Sequence, residues 1–315
     1  MHTVRRNFSA TPRRELKEFV RIYAQRELHS ESATVIQPCM SLLEHILVFD
    51  FGNPLIWVSD GIGQRLPRIR IEGLQTFPSG CAHLEGRHLG FVIFLKPLAP
   101  WQLFRIPPGS LANKYVDSVD VLGSGMQSLW SALAECESFA ERVRCAEEYL
   151  LPLATNALAS TSIMKSAHYL FNSNGMSRVE DIANDCGLSV RHYDRLFAEQ
   201  TGMSPKLFAR VRRFQLAMDA KRMAPQRSWM SVAHDFGYFD QMHMIRDFQR
   251  LGGNTPTQLL EQIGDLQPWS LGTPMTPYDF PESTTSTHNR RGLTSALRGL
   301  QSAVQRGRRI RRLAG

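Results

Sequence analysis

No stretch of the 315-residue chain approaches the roughly 20 uninterrupted apolar residues of a membrane-spanning helix. The basic residues of the opening MHTVRRNFSATPRRELKEF have no apolar run behind them, so neither an export signal nor a membrane partner is expected. Cysteine is sparse and scattered: Cys39, Cys81, Cys136, Cys145 and Cys186 form no Cys-x-x-Cys pair. That pattern argues against a disulfide framework and a thiolate zinc cage, and it fits a reducing, cytoplasmic setting in which the thiols are small buried hydrophobes. A nucleophile elbow, paired carboxylates in a glycine-rich setting and a metal motif are also missing. The chain is therefore not expected to be an enzyme, and no metal or cofactor is implied.

Two weak patterns remain. His83, Glu85 and His88 in HLEGRH are a compact set of candidate metal ligands, but the spacing is generic and a surface hairpin turn is the simpler reading. Gly61-x-Gly63 lacks the third glycine and the strand-loop-helix unit of a phosphate cradle, so a flexible loop is expected there.

What the chain has is a globular composition, 43% hydrophobic and 21% charged, with length for two domains. Its net charge of +8 is unevenly spread. Residues 1–160 hold 16 basic against 16 acidic residues, residues 161–262 hold 13 against 10, and residues 263–315 hold 8 against 3. The surplus thus lies mainly in the tail, where general attraction to an anionic partner would reside.

From Arg13 to about Leu111, short apolar runs such as LLEHILVFDFGNP, PLIWVSDG, RIRIEGLQTFPSG and HLGFVIFLKP end in turn residues and read as strands. A β-rich barrel- or sandwich-like domain over residues 1–155 follows, its last part helical: Leu129, Leu133 and Cys136, then Phe139, Val143, Ala146 and Leu150, recur at intervals of three and four. Pro152 marks an expected bend near the boundary. Residues 162–263 read as short helices separated by Gly, Ser-Pro and Thr-Pro, giving an α+β multidomain chain with an all-α C-terminal domain. Residues 264–315 form a Pro/Ser/Thr linker and an Arg-rich tail, expected to be disordered, although Leu293, Leu297, Leu300 and Val304 could line a basic amphipathic helix on an anionic partner.

The C-terminal region repeats itself. IANDCGLSVRHYDRLFAEQTGMSP (182–205) and VAHDFGYFDQMHMIRDFQRLGGNTP (232–256) share Ala183/Ala233 and Gly187/Gly237. After one inserted residue, Arg195/Arg246, Phe197/Phe248, Gly202/Gly253 and Pro205/Pro256 also correspond. The alanine lets a neighbouring helix approach, and the glycine supplies the positive φ that ends one helix and turns into the next. Ser204-Pro205 and Thr255-Pro256 set a capping hydroxyl before a first-turn proline, and Ser177 with Glu180 has capping-box spacing. These features spell two helix-turn-helix units joined by a long helix, Pro205 to Met223, with Leu207, Val211, Phe214 and Met218 at helical spacing.

In the second helix of each unit one face is left outward: Arg191, Asp194, Arg195 and Ala198 in the first, Met242, Ile245, Arg246 and Gln249 in the second. Such a stripe suits the major groove, where Arg matches guanine O6 and N7. The base-contact candidates are Arg191, Asp194, Arg195, Gln241, Met242, Ile245 and Arg246. Lys206, Arg210, Arg213 and Gln249 are the phosphate candidates, positioning the protein without reading sequence.

Residues 165–262 resemble the DNA-binding domain of AraC/XylS-family transcription activators, most tellingly in G-Y-F-D-Q-x-H-x-x-R-D-F-x(4)-G-x-T-P. Met242, where the family favours a small polar residue, and Asp194 depart from its pattern. Residues 1–155 resemble, more weakly, a poorly characterised sensor-like domain of such regulators, through LLEHILVFDFGNP, GLQTF, GFVIFLKP and SFAERVRCAEEYL. The resemblance implies an activator whose two recognition helices enter successive major-groove segments about 34 Å apart. It implies double-stranded promoter DNA as partner, and it leaves open a small-molecule effector of unknown identity, RNA polymerase and homodimerisation. Two other classes stay in view. A cysteine-dependent DNA-repair or regulatory enzyme would need a reactive thiol, and a non-specific architectural binder driven by the tail would show little sequence preference.

Overall fold

The computed structural model describes residues 3–263, so the expectations for the linker and Arg-rich tail at 264–315 lie outside the described residues. The N-terminal half is built on one antiparallel sheet of eight strands: β1 Thr3–Ala10, β2 Val20–Pro38, β3 His45–Asp50, β4 Ile56–Ser59, β5 Ile62–Arg65, β6 Ile69–Glu72, β7 Cys81–Leu95 and β8 Tyr115–Asp117. The order is β1-β2-β7-β3-β6-β8, with β4 pairing both β5 and β7. Strand β7 holds the sheet together. Its first residues pair with β4 and its last with β3, while β2 follows it almost end to end.

Side chains alternate along these strands, and both faces are covered. Leu47, Phe49, Phe91 and Ile93 join one core; Ile46, Val48, Val92 and Phe94 join another on the opposite face. Burial on both sides explains why HILVFD and FVIFL are continuous apolar runs and not alternating ones. The first core is closed by helices α3 (Gly125–Glu135) and α4 (Phe139–Thr155), which follow the short helices α1 (Ala99–Phe104) and α2 (Ser118–Leu122). Met126, Leu129, Leu133, Val143, Ala146 and Leu150 point inward from α3 and α4. A capping box starts α4, Ser138 accepting from the Glu141 N–H while Glu141 reaches back to the Ser138 N–H.

Several local expectations change. HLEGRH is no hairpin turn; it lies inside β7, and the irregularity falls on β2, where five steps from Ser30 to Val35 face two on β7 from Gly86 to Leu84. Gly61 belongs to a two-residue hairpin turn between β4 and β5, with positive φ at both Asp60 and Gly61, and Gly63 sits within β5. Strand β1, outside the expected strand region, pairs along its length with β2. Helix α4 runs through Pro152 to Thr155, since a proline so near the end interrupts only the last turn.

The C-terminal half is helical: α5 Ser162–Asn172, α6 Val179–Asp185, α7 Val190–Thr201, α8 Pro205–Met223, α9 Trp229–Asp235, α10 Gln241–Gly252 and α11 Pro256–Ile263. Aromatic rings bind the two units to α8. Phe197 meets Phe208 and Phe214 meets Phe248 edge-on, with centroids 5.5 and 4.9 Å apart. Helix α8 is buried on several sides, even at Arg212, whose guanidinium lies 3.9 Å from the Phe171 ring centroid and whose Nε donates to the Phe171 carbonyl at 3.1 Å.

The two halves share an apolar core, in which Met40, Leu43, Leu74 and Leu98 pack with the helices, and they also touch through polar and close backbone contacts. Gln215 of α8 donates to Glu44 at 2.7 Å, and Glu44 also meets Arg21 Nε at 3.0 Å. The Ser41 N–H donates to the Leu251 carbonyl at 2.8 Å. A Cβ placed on Gly109 would lie 2.9 Å from the Gly202 Cα, so the two backbones are in direct contact.

Candidate nucleic-acid interface

Each unit is a pair of helices turned by a left-handed glycine, Gly187 at φ +70° and Gly237 at φ +67°. The bond that closes each turn is also repeated, Leu188 N to the Ala183 carbonyl and Tyr238 N to the Ala233 carbonyl, both at 3.0 Å. The second helices, α7 and α10, begin at Ser189 and Asp240, whose side chains accept from the N–H three residues on, and end at Gly202 and Gly253 in the left-handed region. The expected capping box at Ser177 does not form. Helix α6 starts at Val179 after Arg178, and Glu180 instead lies 3.9 Å from Lys206 Nζ on α8.

On α7, Tyr193 and Phe197 are buried while Arg191 and Arg195 are exposed. On α10, Met244, Phe248 and Leu251 are buried while Gln241, Met242, Arg246 and Gln249 are exposed and Ile245 is half-buried. The two stripes therefore face outward on helices that share the same kind of cap and the same turn bond. Arg195 Nη1 is held 2.7 Å from Glu199 one turn along, whereas Arg246 has no ion-pair partner among the described residues. Asp194 is half-buried, and its Oδ1 has no hydrogen-bond partner among the described residues.

The four phosphate candidates separate into two groups. Lys206 and Gln249 are exposed. Arg210 is bound through Nε and Nη2 to Asp247 at 3.0 and 2.7 Å, tying α8 to α10. Arg213 lies 5.4 Å from the Tyr238 ring centroid, with Nη1 3.4 Å from the Gly237 carbonyl, bracing the second turn. Arg250, exposed and one turn beyond Arg246, falls outside the set that the sequence pattern singles out, though its spacing of four places it on the same side.

Residues 182–262 match the helix-turn-helix domain family. The match spans both repeated units, from α6 into α11. A helix-turn-helix domain is a DNA-binding module, and this one follows an antiparallel β-rich domain in the chain. Among solved structures, the chain is similar to ToxT from Vibrio cholerae O395, with 9% identity over 79% of this chain and 99% of that one, TM-score 0.44. It is also similar to unsaturated fatty acid-bound ToxT from Vibrio cholerae strain SCE256 (8% identity, 82% and 95% covered, TM-score 0.43). A third is the AraC-like transcriptional activator CuxR (13% identity, 66% and 86% covered, TM-score 0.26). No curated protein matches the chain by sequence.

The β-rich domain offers two cavities. One, of about 50 Å³, lies inside the sheet domain beside Asp50, Arg70, Glu72 and His88. Arg70 pairs there with Asp50 and, at 2.8 Å, with Glu72, and burial pushes the Glu72 carboxyl up and the His88 imidazole down. The other, of about 460 Å³, lies at the junction between the halves, lined by Glu18, Phe19, Lys96, Leu158, Lys165 and Phe171 among others. The Lys96 ammonium is pushed down by burial, with Glu18 pulling the other way. Among the described residues no group of three or more His, Cys, Asp or Glu is placed to hold a metal, and no helix is long and apolar enough to cross a membrane.

Proposed function

We propose that the protein is a sequence-specific transcription regulator in which α7 and α10 read adjacent major-groove segments of promoter DNA. The observation that carries this reading is the pair of matched outward stripes, Arg191 and Arg195 on one helix and Met242 and Arg246 on the other, each set on a glycine turn and a side-chain-capped helix start. Arg191, Arg195 and Arg246 would address guanines, with Asp194, Gln241 and Ile245 adjusting base preference. Lys206 and Gln249 are the phosphate candidates whose exposure suits that role. Arg210 and Arg213 act chiefly in holding the second unit together. The family resemblance makes activation, with RNA polymerase as partner, the expected sign of regulation.

The junction cavity is the proposed effector site. Its volume falls in the roughly 300–1,000 Å³ range of small-molecule pockets, whereas the inner cavity has room for little more than water. Lys96 and Lys165 outnumber the one lining carboxylate, Glu18, and with the apolar walls they suit a small amphipathic anion.

The test is DNA selection from a randomised library with the full chain, followed by Arg246→Ala. The variant should lose about 1–3 kcal/mol at the selected site and flatten the preference at one position. Equal losses on selected and random DNA would refute the base contact.

A further inference from the structure

The two turns differ by one residue. Gly187 is followed by Leu188 and the cap Ser189, but Gly237 is followed by Tyr238, Phe239 and the cap Asp240. The matching turn bonds of Leu188 and Tyr238 identify the extra residue as Phe239. Leu188 and Tyr238 both pack against the helical core.

An apolar residue just before a helix cap ordinarily packs against the fourth helical residue. Here that residue is Met244, fully buried, yet Phe239 is 92% exposed. The Phe239 backbone is nevertheless fixed: its N–H points to His243 Nδ1 at 3.4 Å, and Asp240 accepts from the His243 N–H at 2.6 Å. A phenyl ring with no packing role stands on a hydrogen-bonded backbone just before α10. Met242, 55% exposed, lies three residues on, in the first turn of α10, and the stripe continues to Ile245 and Arg246. The residue two beyond the cap is Arg191 in the first unit and Met242 in the second, so the two helices present opposite chemistry at equivalent positions.

We propose that Phe239 and Met242 are a specificity-determining pair that contacts the C5-methyl groups of thymines in the segment read by α10. The proposal rests on the reading that α10 enters the major groove. Thymine is the only base that shows a methyl group there, and apolar side chains are what recognise it. The occupant is DNA because the apolar pair is continuous with the exposed Gln241, Arg246 and Gln249 on the same helix. The chain then reads an asymmetric site, guanine-directed under α7 and thymine-bearing under α10.

The test uses the full chain and the DNA sequence it selects. Each thymine in the α10 segment is replaced singly by deoxyuridine, which removes only the methyl, and affinity is measured by fluorescence anisotropy. Wild type should lose about fourfold at one or two positions, the worth of one buried methyl. Phe239→Ala and Met242→Ser should weaken binding to the thymine site and lose the deoxyuridine penalty, with unchanged circular dichroism because both side chains are exposed. Retention of the full penalty by both variants would overturn the proposal. So would unchanged DNA binding with loss of transcription by added RNA polymerase, which would make the patch a protein-docking surface. Failure of wild type to select any sequence would instead refute the DNA-reading assignment itself.

Discussion

Asp219 lies in α8, the helix that joins the two units, and is buried where that helix meets the sheet domain. Burial raises its carboxyl from 3.8 to about 6; Arg21, Arg222 and Arg212 pull it down and Glu44 pushes it up, without offsetting the loss of water. The sign follows from proton linkage. Between pH 4 and 6 the folded protein holds a proton on Asp219 that the unfolded chain has released, so this group's contribution to stability falls as pH rises and is flat above about 6. A shift of just over two units corresponds to about 3 kcal/mol. Asp219→Asn should therefore be stabilised relative to wild type at pH 7.5 by up to about 3 kcal/mol, with the difference shrinking toward pH 4. Urea denaturation followed by circular dichroism at several pH values reads this directly. An Asn variant that is less stable at pH 7.5, with the gap closing as pH falls, would show that the surrounding arginines outweigh desolvation.

Gly109→Ala tests the contact between the halves without altering either helix-turn-helix unit. Its Cβ would meet backbone of Gly202 at 2.9 Å, a clash expected to cost about 1–3 kcal/mol or to part the two surfaces. Limited proteolysis should cut the 156–161 connection faster while helical content is kept; an unchanged cleavage rate and Tm would refute the contact. Removing residues 290–315, which carry eight arginines and no acid, should lower affinity for all DNA and flatten its salt dependence. An unchanged salt slope would assign the general attraction elsewhere.

The helical domain is legible in the sequence because its glycines, caps and apolar spacing are local. Gly187, Gly202, Gly237 and Gly253 all take the positive φ that their positions in the repeat demand. The sheet domain is legible only in part. Strand β1, TVRRNFSA, is too polar to stand out and exists because it pairs with β2, a partner some 20 residues away. HLEGRH looks like a turn, but the irregularity it faces lies on β2, which no local pattern in β7 can reveal. The same holds for the site. The outward stripes follow from helical periodicity, whereas the engagement of Arg210 by Asp247 and of Arg213 by the second turn depends on how α8 packs. The exposure of Phe239 follows from a one-residue insertion visible in the repeat, yet only its failure to pack on Met244 gives that insertion meaning.

The junction cavity and the helices α7 and α10 are joined by a short physical route. Lys165 and His168 on α5 line the cavity, and Ser166 between them hydrogen-bonds the buried Tyr193 hydroxyl of α7 at 2.9 Å. The C-terminal ends of α7 and α10 also rest on the sheet domain, Gly202 against Gly109 and Gly253 beside Pro78. Both helices are thus referenced to the same body. A ligand in the cavity can change DNA affinity only by binding two arrangements of these contacts unequally, and couplings of this kind are typically about 1–3 kcal/mol. The junction also holds the Gln215–Glu44 and Ser41–Leu251 bonds and the buried Met40, Leu43, Leu74 and Leu98, so only the local contacts at the two glycine seams are weak enough to be shifted by that amount. The tightly packed aromatic pairs within each unit, Phe197 with Phe208 and Phe214 with Phe248, are not. Regulation through the cavity would therefore adjust the C-terminal ends of α7 and α10 at these seams while leaving the fold of each unit unchanged.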